Sequence, residues 1–428
     1  MIYIEYPSLA EIQDLLKRPA LDVSSLEENV AAIMRDVKMR GDVAVREYTK
    51  RFDKAEIENF LVAENEIQQA VAITDEKLKQ AILTAKNNIE KFHCTQVLKE
   101  EKTEIMPGVI CWRESRAIGK VGLYIPGGTA PLFSTVLMLA LPAQIAGCKQ
   151  ISLFTPPSAD GKIHSAILFA ASACGIKTIY KIGGVQAVAA MAYGTETIPA
   201  VDKIFGPGNA YVTCAKQLAA KEGIAIDLPA GPSELAVYAD ENVPVGFITA
   251  DLLSQAEHGT DSQVVLVSKQ KSVLENVQRE IEKQLNELPR KEIAREALKK
   301  SHAILVKNDE EAMQLLNAYA PEHLILACAN ANELIMQVEN AGSVFIGNYS
   351  PESAGDYASG TNHTLPTNGK AKAWSGVSVD SFVKKITFQE VTRDGLKNIG
   401  PAVEVMAEAE GLFAHKNAVT IRLNNSDN

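Results

Sequence analysis

The order of apolar and polar positions predicts helices in the N-terminal part of the chain. One stretch follows candidate caps at Ser24 and Ser25 and repeats apolar residues every three or four positions until a break at Gly41-Asp42. A second such stretch runs from Glu64 to Phe92 among lysine, glutamate and glutamine residues. Both patterns are typical of amphipathic helices with one solvated side. We expect them to pack against the body of the molecule or a second subunit.

From about residue 106 the pattern changes to short β-branched runs that alternate with helical ones. This alternation is typical of βαβ units and a mostly parallel sheet. Strands of a first series are predicted at residues 121–125, 151–154, 178–182 and 203–205. Strands of a second series are predicted at residues 235–238, 264–267, 303–306 and 343–346. The fold class that follows is α/β, with two Rossmann-like α/β domains.

These patterns divide the chain into four segments. We predict an N-terminal helical segment (1–105), a first Rossmann-like domain (106–230), a second Rossmann-like domain (231–375) and a small C-terminal tail (376–428). The tail carries a predicted strand at residues 386–391 and a predicted helix at residues 401–413. The two halves show no repeat at the residue level, so an origin by duplication stays open.

Composition and charge favour small molecules as partners. The chain has 428 residues and a formal net charge of −10, with lysines and arginines spread among acids, which argues against an extended nucleic-acid face. Its six cysteines form no C-x-x-C pair and no secretory signal is recognisable, so we expect reduced thiols in the cytoplasm. The most apolar stretch, residues 136–148, is broken by Pro142, and no membrane span is predicted.

Four glycine-rich turns follow predicted strands and open helices, at residues 126–128, 183–184, 206–208 and 231–232. Such turns let backbone N–H groups approach an anion at a helix N-terminus. None of them matches G-x-G-x-x-G, because Tyr211 stands where a third glycine is needed after Gly206 and Gly208. Each turn alone is equally compatible with an ordinary connection between a strand and a helix. Four such turns in one chain favour a nucleotide or a phosphorylated ligand.

Two pairs of polar residues stand beside apolar runs. Gln255 and His258 are three apart at the end of an apolar helical pattern, which predicts both on one helix face within reach of one ligand or ion. Glu322 and His323 precede the apolar run 324–327 and should stand at the start of a strand, a usual place for a proton-transfer pair. The alternatives are a polar surface feature for the first pair, and a solvated glutamate with a backbone-bonded histidine for the second.

Further donors lie later in the chain. Residues 355–363, which include Asp356, are too rich in glycine and polar residues for regular structure, and loops of this kind often carry function. Glu410 and His415 lie near a predicted helix end. A zinc-type site needs three or four nitrogen and oxygen donors from separate segments. Four residues supply such a set: Gln255, His258, Asp356 and His415.

These motifs, in this order, resemble those of the histidinol dehydrogenase family. The resemblance is carried by residues 254–259 (SQAEHG), 320–324 (APEHL), 355–357 (GDY) and 410–415 (EGLFAH). Residues 206–212 (GPGNAYV) and 231–234 (GPSE) are similar to further motifs of that family. The resemblance covers nearly the whole chain, and no motif position departs from it.

The resemblance implies a four-electron oxidation of L-histidinol through L-histidinal to L-histidine with NAD, the last step of histidine biosynthesis. It implies one zinc ion per subunit, bound by Gln255, His258, Asp356 and His415. The substrate-binding residues that it implies are Ser233, Gln255, His258, His323, Asp356, Glu410 and His415. The residues implied at NAD, in the first Rossmann-like domain, are Tyr124, Gln186 and Asn209. It also implies a homodimer, in which the tail contributes Glu410 and His415 to the partner's site.

The same resemblance assigns catalysis to Glu322 and His323. Removal of hydride from an alcohol carbon requires a base for the hydroxyl proton, and a neutral His323 with a pKa near the operating pH suits this role. The second oxidation needs a hydrated aldehyde, so Glu322 is expected to deprotonate the attacking water if its surroundings raise its pKa. The metal is expected to orient the substrate, and the donor set leaves zinc and manganese open.

Three other functions are compatible with parts of the pattern. A related zinc and NAD dehydrogenase would oxidise another small polar alcohol, such as a sulfonated diol. A zinc hydrolase would activate water with Glu322 as the base, but the glycine turns and the missing H-E-x-x-H pattern argue against it. A non-catalytic binding protein would tolerate the loss of Glu322 and His323.

Overall fold

The computed structural model describes residues 1–8, 11–12, 17–18, 24–127, 131–228 and 231–425. Gly128, predicted as a turn residue, and the side chains of the two candidate caps at 24 and 25 lie outside the described part. The elements up to residue 117 are β1 (Ile2–Glu5), α1 (Ser24–Arg40), α2 (Asp42–Phe52), α3 (Glu64–Ile73), α4 (Glu76–Cys94), β2 (Thr103–Met106) and β3 (Val109–Ala117).

The helical stretch predicted from Glu64 to Phe92 is divided between two helices, α3 and α4. Thr74 adopts an extended conformation with ψ of 133° and ends α3. The Asp75 side chain then accepts a hydrogen bond from the backbone N–H of Leu78 and begins α4. The cap was readable from the sequence, whereas the apolar spacing alone continued across it.

The first sheet is parallel, and its strands lie in the order β6-β5-β4-β7-β8. Its strands are β4 (Lys120–Tyr124), β5 (Gln150–Thr155), β6 (Thr178–Lys181), β7 (Lys203–Phe205) and β8 (Ala225–Ile226). The helices that connect them are α5 (Phe133–Ile145), α6 (Ser165–Ala173), α7 (Gly184–Tyr193) and α8 (Ala210–Lys221). Strand order reverses between β4 and β7, which opens a crevice at the carboxyl ends of the strands.

The second sheet is also parallel, in the order β1-β11-β10-β9-β12-β13. Its strands after β1 are β9 (Glu234–Ala239), β10 (Gln263–Ser268), β11 (His302–Leu305), β12 (His323–Ala327) and β13 (Ser343–Ile346). The helices of this half are α9 (Val245–Ala256), α10 (Lys271–Glu287), α11 (Lys291–Lys299), α12 (Asp309–Tyr319), α13 (Ala331–Leu334) and α14 (Glu352–Tyr357). Without β1, the strand order is the same as in the first sheet.

Parallel strands buried on both faces confine polar chemistry to their ends. Every residue of β9, β10 and β12 is buried, as are most residues of β4 and β5. Such strands read as continuous apolar runs because helices cover both faces of the sheet. Polar side chains that reach a ligand must therefore come from the strand ends or from the segments beside them.

The tail forms a strand and a helical hairpin: β14 (Val383–Val391), α15 (Arg393–Ala409) and α16 (Phe413–Leu423). The single predicted helix at residues 401–413 is wrong, because α15 starts earlier and Gly411, with φ of 73°, turns the chain into α16. β14 pairs antiparallel with β3, which also pairs with β2. The N–H of Ile118 donates to Phe382 at 2.9 Å, so the start of the tail is attached to the first half.

The sheets link the four predicted segments to one another. β1 belongs to the second sheet although it lies in the N-terminal segment, and β14 of the tail pairs with β3 of the first half. The division after residues 105, 230 and 375 stays a prediction. In the described part of the chain, no helix combines the length and the apolar character needed to cross a membrane.

Candidate active site

Polar residues meet at the amino ends of two neighbouring strands in the second sheet. β9 starts directly after Ser233, and β12 starts directly after Glu322. His323 pairs with Leu235 in a parallel register, so the residues before the two strands lie side by side. The backbone N–H of Glu234 donates to Glu322 Oε2 at 2.9 Å and fixes this carboxylate. The structure thus places the Glu322-His323 pair at the start of a strand, as predicted.

Three carboxylates surround the His323 imidazole. Its Nδ1 lies 3.5 Å from Glu352 Oε1 and 3.8 Å from Glu322 Oε2, and its Nε2 lies 3.5 Å from Asp356 Oδ1. Burial alone would lower the pKa of His323, but the negative charges outweigh burial and raise the pKa to about 10. Of these three carboxylates, only Glu352 was not foreseen from the sequence, and the neutral His323 base stays a prediction.

Glu322 is the second titratable group at this strand end. It is buried, and burial raises its pKa to about 8, while His323 and the N–H of Glu234 offset only part of this effect. A carboxyl group with such a pKa exchanges its proton close to neutral pH. The condition set for a water-activating role, a raised pKa, is met.

Candidate metal-binding side chains adjoin the pair. His258, Glu352 and Asp356 each place one donor atom within 4.8 Å of the others. An imidazole nitrogen and carboxylate oxygens gathered in this way are candidate ligands for one divalent ion. One imidazole nitrogen with carboxylate oxygens suits zinc and also manganese.

Glu352 also contacts Gln255, the amide predicted as a ligand. Gln255 is fully buried. In the amide orientation that satisfies both groups, its Nε2 donates to Glu352 Oε2 at 3.2 Å. The amide oxygen is then the atom that Gln255 can offer to an ion, and Glu352 holds the amide in place. Glu352 was missed, although it stands four residues before Asp356 and shares its helical face.

Two local predictions at these ligands need correction. α9 ends at Ala256, so His258 follows the helix instead of sharing a helix face with Gln255, although its N–H still donates to Gln255 at 3.3 Å. Residues 355–363 were expected to be irregular, but Asp356 lies in α14. Gly355 is buried in this helix and packs so closely against the ring of Phe345 that a side chain there would clash.

Glu410 and His415 do not join this cluster within one chain. Both are exposed, Glu410 at the end of α15 and His415 in the first turn of α16. The group of donors that contains His258 does not include His415 among the described residues. Ser233, by contrast, lines a cavity of about 220 Å³ together with Glu322.

The residues predicted at NAD line a cavity of about 700 Å³ at the carboxyl ends of the first sheet. Tyr124 ends β4, and its hydroxyl accepts a hydrogen bond from the N–H of Gly184 at 3.0 Å. Gln186 is fully buried, and Asn209 caps α8 through its side-chain oxygen. Gly206 has a φ of 120°, and a side chain there would clash with the backbone of Tyr124. The three predicted residues are therefore brought together at the switch point.

A second cavity, of about 800 Å³, joins this site to the second half. It shares Asn209 and Tyr211 with the first cavity and is also lined by Ser233 and His258. One elongated ligand in the first half can therefore reach the polar cluster of the second half. This arrangement suits a transfer between a dinucleotide and a small substrate.

Comparisons with known proteins agree with this chemistry. A family described as histidinol dehydrogenase matches residues 16–423. The chain is 58% identical to a histidinol dehydrogenase of Bacteroides thetaiotaomicron over 424 residues, which cover 99% of each chain. It is 52% identical to a chloroplastic histidinol dehydrogenase of Arabidopsis thaliana, covering 97% of this chain and 90% of that one.

A solved structure extends the agreement to the fold. The crystal structure of histidinol dehydrogenase from Elizabethkingia anophelis superposes with a TM-score of 0.97 at 54% sequence identity, covering 99% of this chain and 98% of that chain. The α/β fold class predicted from the sequence is confirmed. Because sequence, fold and family motifs agree along almost the whole length, this chain, an oxidoreductase, belongs to the histidinol dehydrogenase family.

Proposed function

We propose that this chain oxidises L-histidinol through L-histidinal to L-histidine with two NAD, as the last step of histidine biosynthesis. The observation that carries the proposal is the Glu322-His323 pair beside the cluster of His258, Glu352 and Asp356. An alcohol oxidation needs a base, an orienting site and a hydride acceptor in one place, and this edge of the second sheet offers the first two. The alternative substrate, a sulfonated diol, gains no support from the comparisons.

One zinc ion per subunit would be bound by Gln255, His258 and Asp356, with the partner subunit's His415 as the fourth ligand. Bound there, the metal would fix the substrate nitrogens and so orient the reacting carbon. Glu352 would support this site by holding the Gln255 amide. Positive charge among these carboxylates would also lower the pKa of His323 toward the range that a base needs.

The protein's own groups then divide the proton transfers. We assign to His323 the removal of the hydroxyl proton in both oxidations, since its ring lies among the candidate ligands. We assign to Glu322 the removal of a proton from the water that attacks the aldehyde, since its raised pKa lets it act as a base near pH 8. Substrate contacts are proposed for Ser233, Gln255, His258, His323, Asp356, Glu410 and His415.

NAD, which accepts the hydride when bound, is assigned to the cavity lined by Tyr124, Gln186 and Asn209. This cavity fits a dinucleotide because it stands at the carboxyl ends of a Rossmann-like sheet and continues into the cavity that contains His258. The described lining supplies the polar groups that fix a nucleotide, and the absence of G-x-G-x-x-G does not exclude it.

We propose a homodimer in which the α15–α16 hairpin donates Glu410 and His415 across the interface. The hairpin exposes a set of large apolar side chains, which a second subunit would cover: Val405, Met406, Leu412, Phe413 and Ile421. The reaction is proposed to run in the cytoplasm, in keeping with six free cysteines.

One assay tests the reaction: purified protein, L-histidinol and NAD are combined, and the absorbance of the reduced cofactor is followed. Two NADH per histidinol are expected, because the aldehyde is oxidised further in the same site. One NADH per alcohol would indicate an ordinary alcohol dehydrogenase. No NADH would favour a hydrolase or a binding protein and contradict the proposal.

Co-expression of His258→Ala and His415→Ala chains tests the shared site. Each variant alone should be inactive, but heterodimers contain one site without either residue and one intact site. Random pairing should therefore restore about a quarter of the wild-type activity. No recovery, with dimers present by size-exclusion chromatography, would contradict donation across the interface.

A further inference from the structure

An acid that was not predicted from the sequence stands in the cavity of the first half. Asp53 follows the last residue of α2 and lines this cavity beside Tyr124 and Gln186. Gln186 Nε2 donates to Asp53 Oδ2 at 3.3 Å, which holds the carboxylate in place. The hydrogen bond between Asp53 and Gln186 joins α2 to α7. It lies at the β6 edge of the first sheet.

The Asp53 carboxylate offers hydrogen-bond acceptors at this point of the cavity. Gln186 Oε1 is buried and has no partner among the described residues, so the part of this amide is to hold the carboxylate through Nε2. A carboxylate with two acceptor oxygens suits a ligand group with two donors.

The cavity holds no cation to offset this acid. Its described lining contains no lysine or arginine. Lys54, the next residue in the chain, donates to the carbonyl oxygen of Arg51 at 2.8 Å, away from Asp53. Burial accordingly raises the pKa of Asp53 to about 6, which leaves the group mainly ionised at neutral pH. A phosphate placed beside it would meet like charge in a partly buried site.

The position along the cavity decides which part of a dinucleotide is read. The reacting end must point to His258 and Ser233, which line the adjoining cavity together with Asn209 and Tyr211. Asp53 and Gln186 line only the first cavity. They therefore face the half of the ligand that does not react.

We propose that Asp53, held in place by Gln186, binds the hydroxyl groups of the adenosine ribose and makes the enzyme selective for NAD over its 2′-phosphorylated form. This inference rests on the proposed use of a nicotinamide dinucleotide. A vicinal diol supplies the two donors, and a carboxylate at the adenosine ribose is the general means by which dinucleotide sites prefer an unphosphorylated 2′-hydroxyl.

Calorimetric titration of the wild-type protein with NAD, 2′-deoxy-NAD and NADP tests this directly. Loss of the 2′-hydroxyl should weaken binding about tenfold, the equivalent of one charge-assisted hydrogen bond. NADP should bind at least about tenfold more weakly still, because of charge repulsion. Equal affinity for NAD and 2′-deoxy-NAD, or a loss with nicotinamide hypoxanthine dinucleotide instead, would overturn the assignment to the ribose.

Asp53→Asn is the variant that isolates the charge, and Glu56→Gln, an exposed neighbour outside the cavity, is its control. Asp53→Asn should bind NAD about tenfold more weakly and lose most of the discrimination against NADP. The control should match the wild type. A parallel loss for NAD and NADP in Asp53→Asn would contradict the proposal, and thermal unfolding of both variants would show whether the fold is kept.

These titrations separate the two proposals. If NAD selectivity follows Asp53 but histidinol is not oxidised, the proposed reaction fails and the ribose assignment stands. If histidinol yields two NADH while Asp53→Asn keeps the wild-type preference, only the ribose assignment fails.

Discussion

The two parallel sheets share one strand order but use opposite ends of their strands. In the first sheet, the cavity with Tyr124 and Gln186 lies at the carboxyl ends, where the strand order reverses. In the second sheet, Glu322 and His323 lie at the amino ends of strands that reverse in the same way. The switch-point rule therefore locates the proposed nucleotide site in the first sheet and does not locate the proposed catalytic site in the second sheet.

The difference lies in what each edge must supply. The carboxyl edge of the first sheet offers glycine turns and helix N-termini, which suit phosphate groups. The amino edge of the second sheet receives the last turn of α9, because a helix between parallel strands runs against them, and this brings Gln255 and His258 to Glu322. Two halves with the same topology thus present different chemistry to one shared space.

A buried ion pair supports each edge. In the first half, Lys216 pairs with Asp227, and both contact the backbone of Gly206. In the second half, Arg18 binds Glu234 through two hydrogen bonds of 2.8 Å, and the N–H of Glu234 fixes Glu322. Removal of Lys216 should therefore affect the first half more than the second, and removal of Arg18 should affect the second half more than the first.

The largest expected effect is on the catalytic edge. Glu322→Gln removes the base for water and should slow the oxidation of L-histidinal by about 10²–10⁴-fold, while the oxidation of L-histidinol should fall less. Single-turnover assays with each substrate measure the two steps separately. Equal losses in both steps would contradict the division of roles between Glu322 and His323.

The next effect concerns the nucleotide edge. Lys216→Met leaves Asp227 charged and buried, so the free energy of unfolding should fall by about 3–5 kcal/mol. Urea unfolding followed by circular dichroism measures this. Lys38→Met, which breaks an exposed pair with Glu222, is the control and should change stability by less than about 1 kcal/mol. Recovery in the double variant Lys216→Met/Asp227→Asn is expected, and a further loss would count against the unpaired charge as the cause.

Arg18→Met tests the ion pair that supports the amino edge of the second sheet. Without Arg18, the Glu234 carboxylate loses its cation, and the backbone that positions Glu322 is less constrained. We expect kcat to fall about tenfold with a smaller change in the affinity for NAD, because Arg18 lines the adjoining cavity and not the cavity with Tyr124 and Gln186. Partial rescue by Arg18→Lys would support a positioning role, whereas an unchanged kcat with lower stability would reduce Arg18 to a purely structural residue.

The smallest expected effect is a pH dependence that belongs to the nucleotide edge alone. The pKa of Asp53 is raised to about 6, so the carboxylate is ionised above pH 6 and protonated below it. NAD binding should weaken by about three- to tenfold as the pH falls from 7 to 5, because an acceptor is lost. Titrations at both pH values measure this, and Asp53→Asn, which leaves His164 and Tyr124 in the same cavity, should remove the dependence. A dependence that survives in this variant would assign it to another group.

The sequence predicts what depends on local pattern. The rhythm of strands and helices, and the start of β12 after Glu322, follow from apolar runs and their flanks. The environment of His323 follows only in part, because its pKa is raised by the neighbouring Glu322 and also by Glu352 and Asp356, which the fold brings from about thirty residues away. Glu352 was not predicted as a site residue because a short helix that contains a glycine resembles a loop in sequence. Asp53 was not predicted because no neighbouring residue in the sequence shows that α2 ends beside Gln186.

The pairing of β14 with β3 has a consequence for how two subunits would act together. The hairpin that carries Glu410 and His415 follows a nine-residue strand that pairs with β3 in a separate three-stranded sheet, and this pairing ties the hairpin to the first half of its own chain. If that hairpin completes the neighbouring subunit's metal site, a shift of one nucleotide domain is transmitted to the opposite metal site. The two reaction centres would then be mechanically connected through a β-ribbon and not through the interface alone.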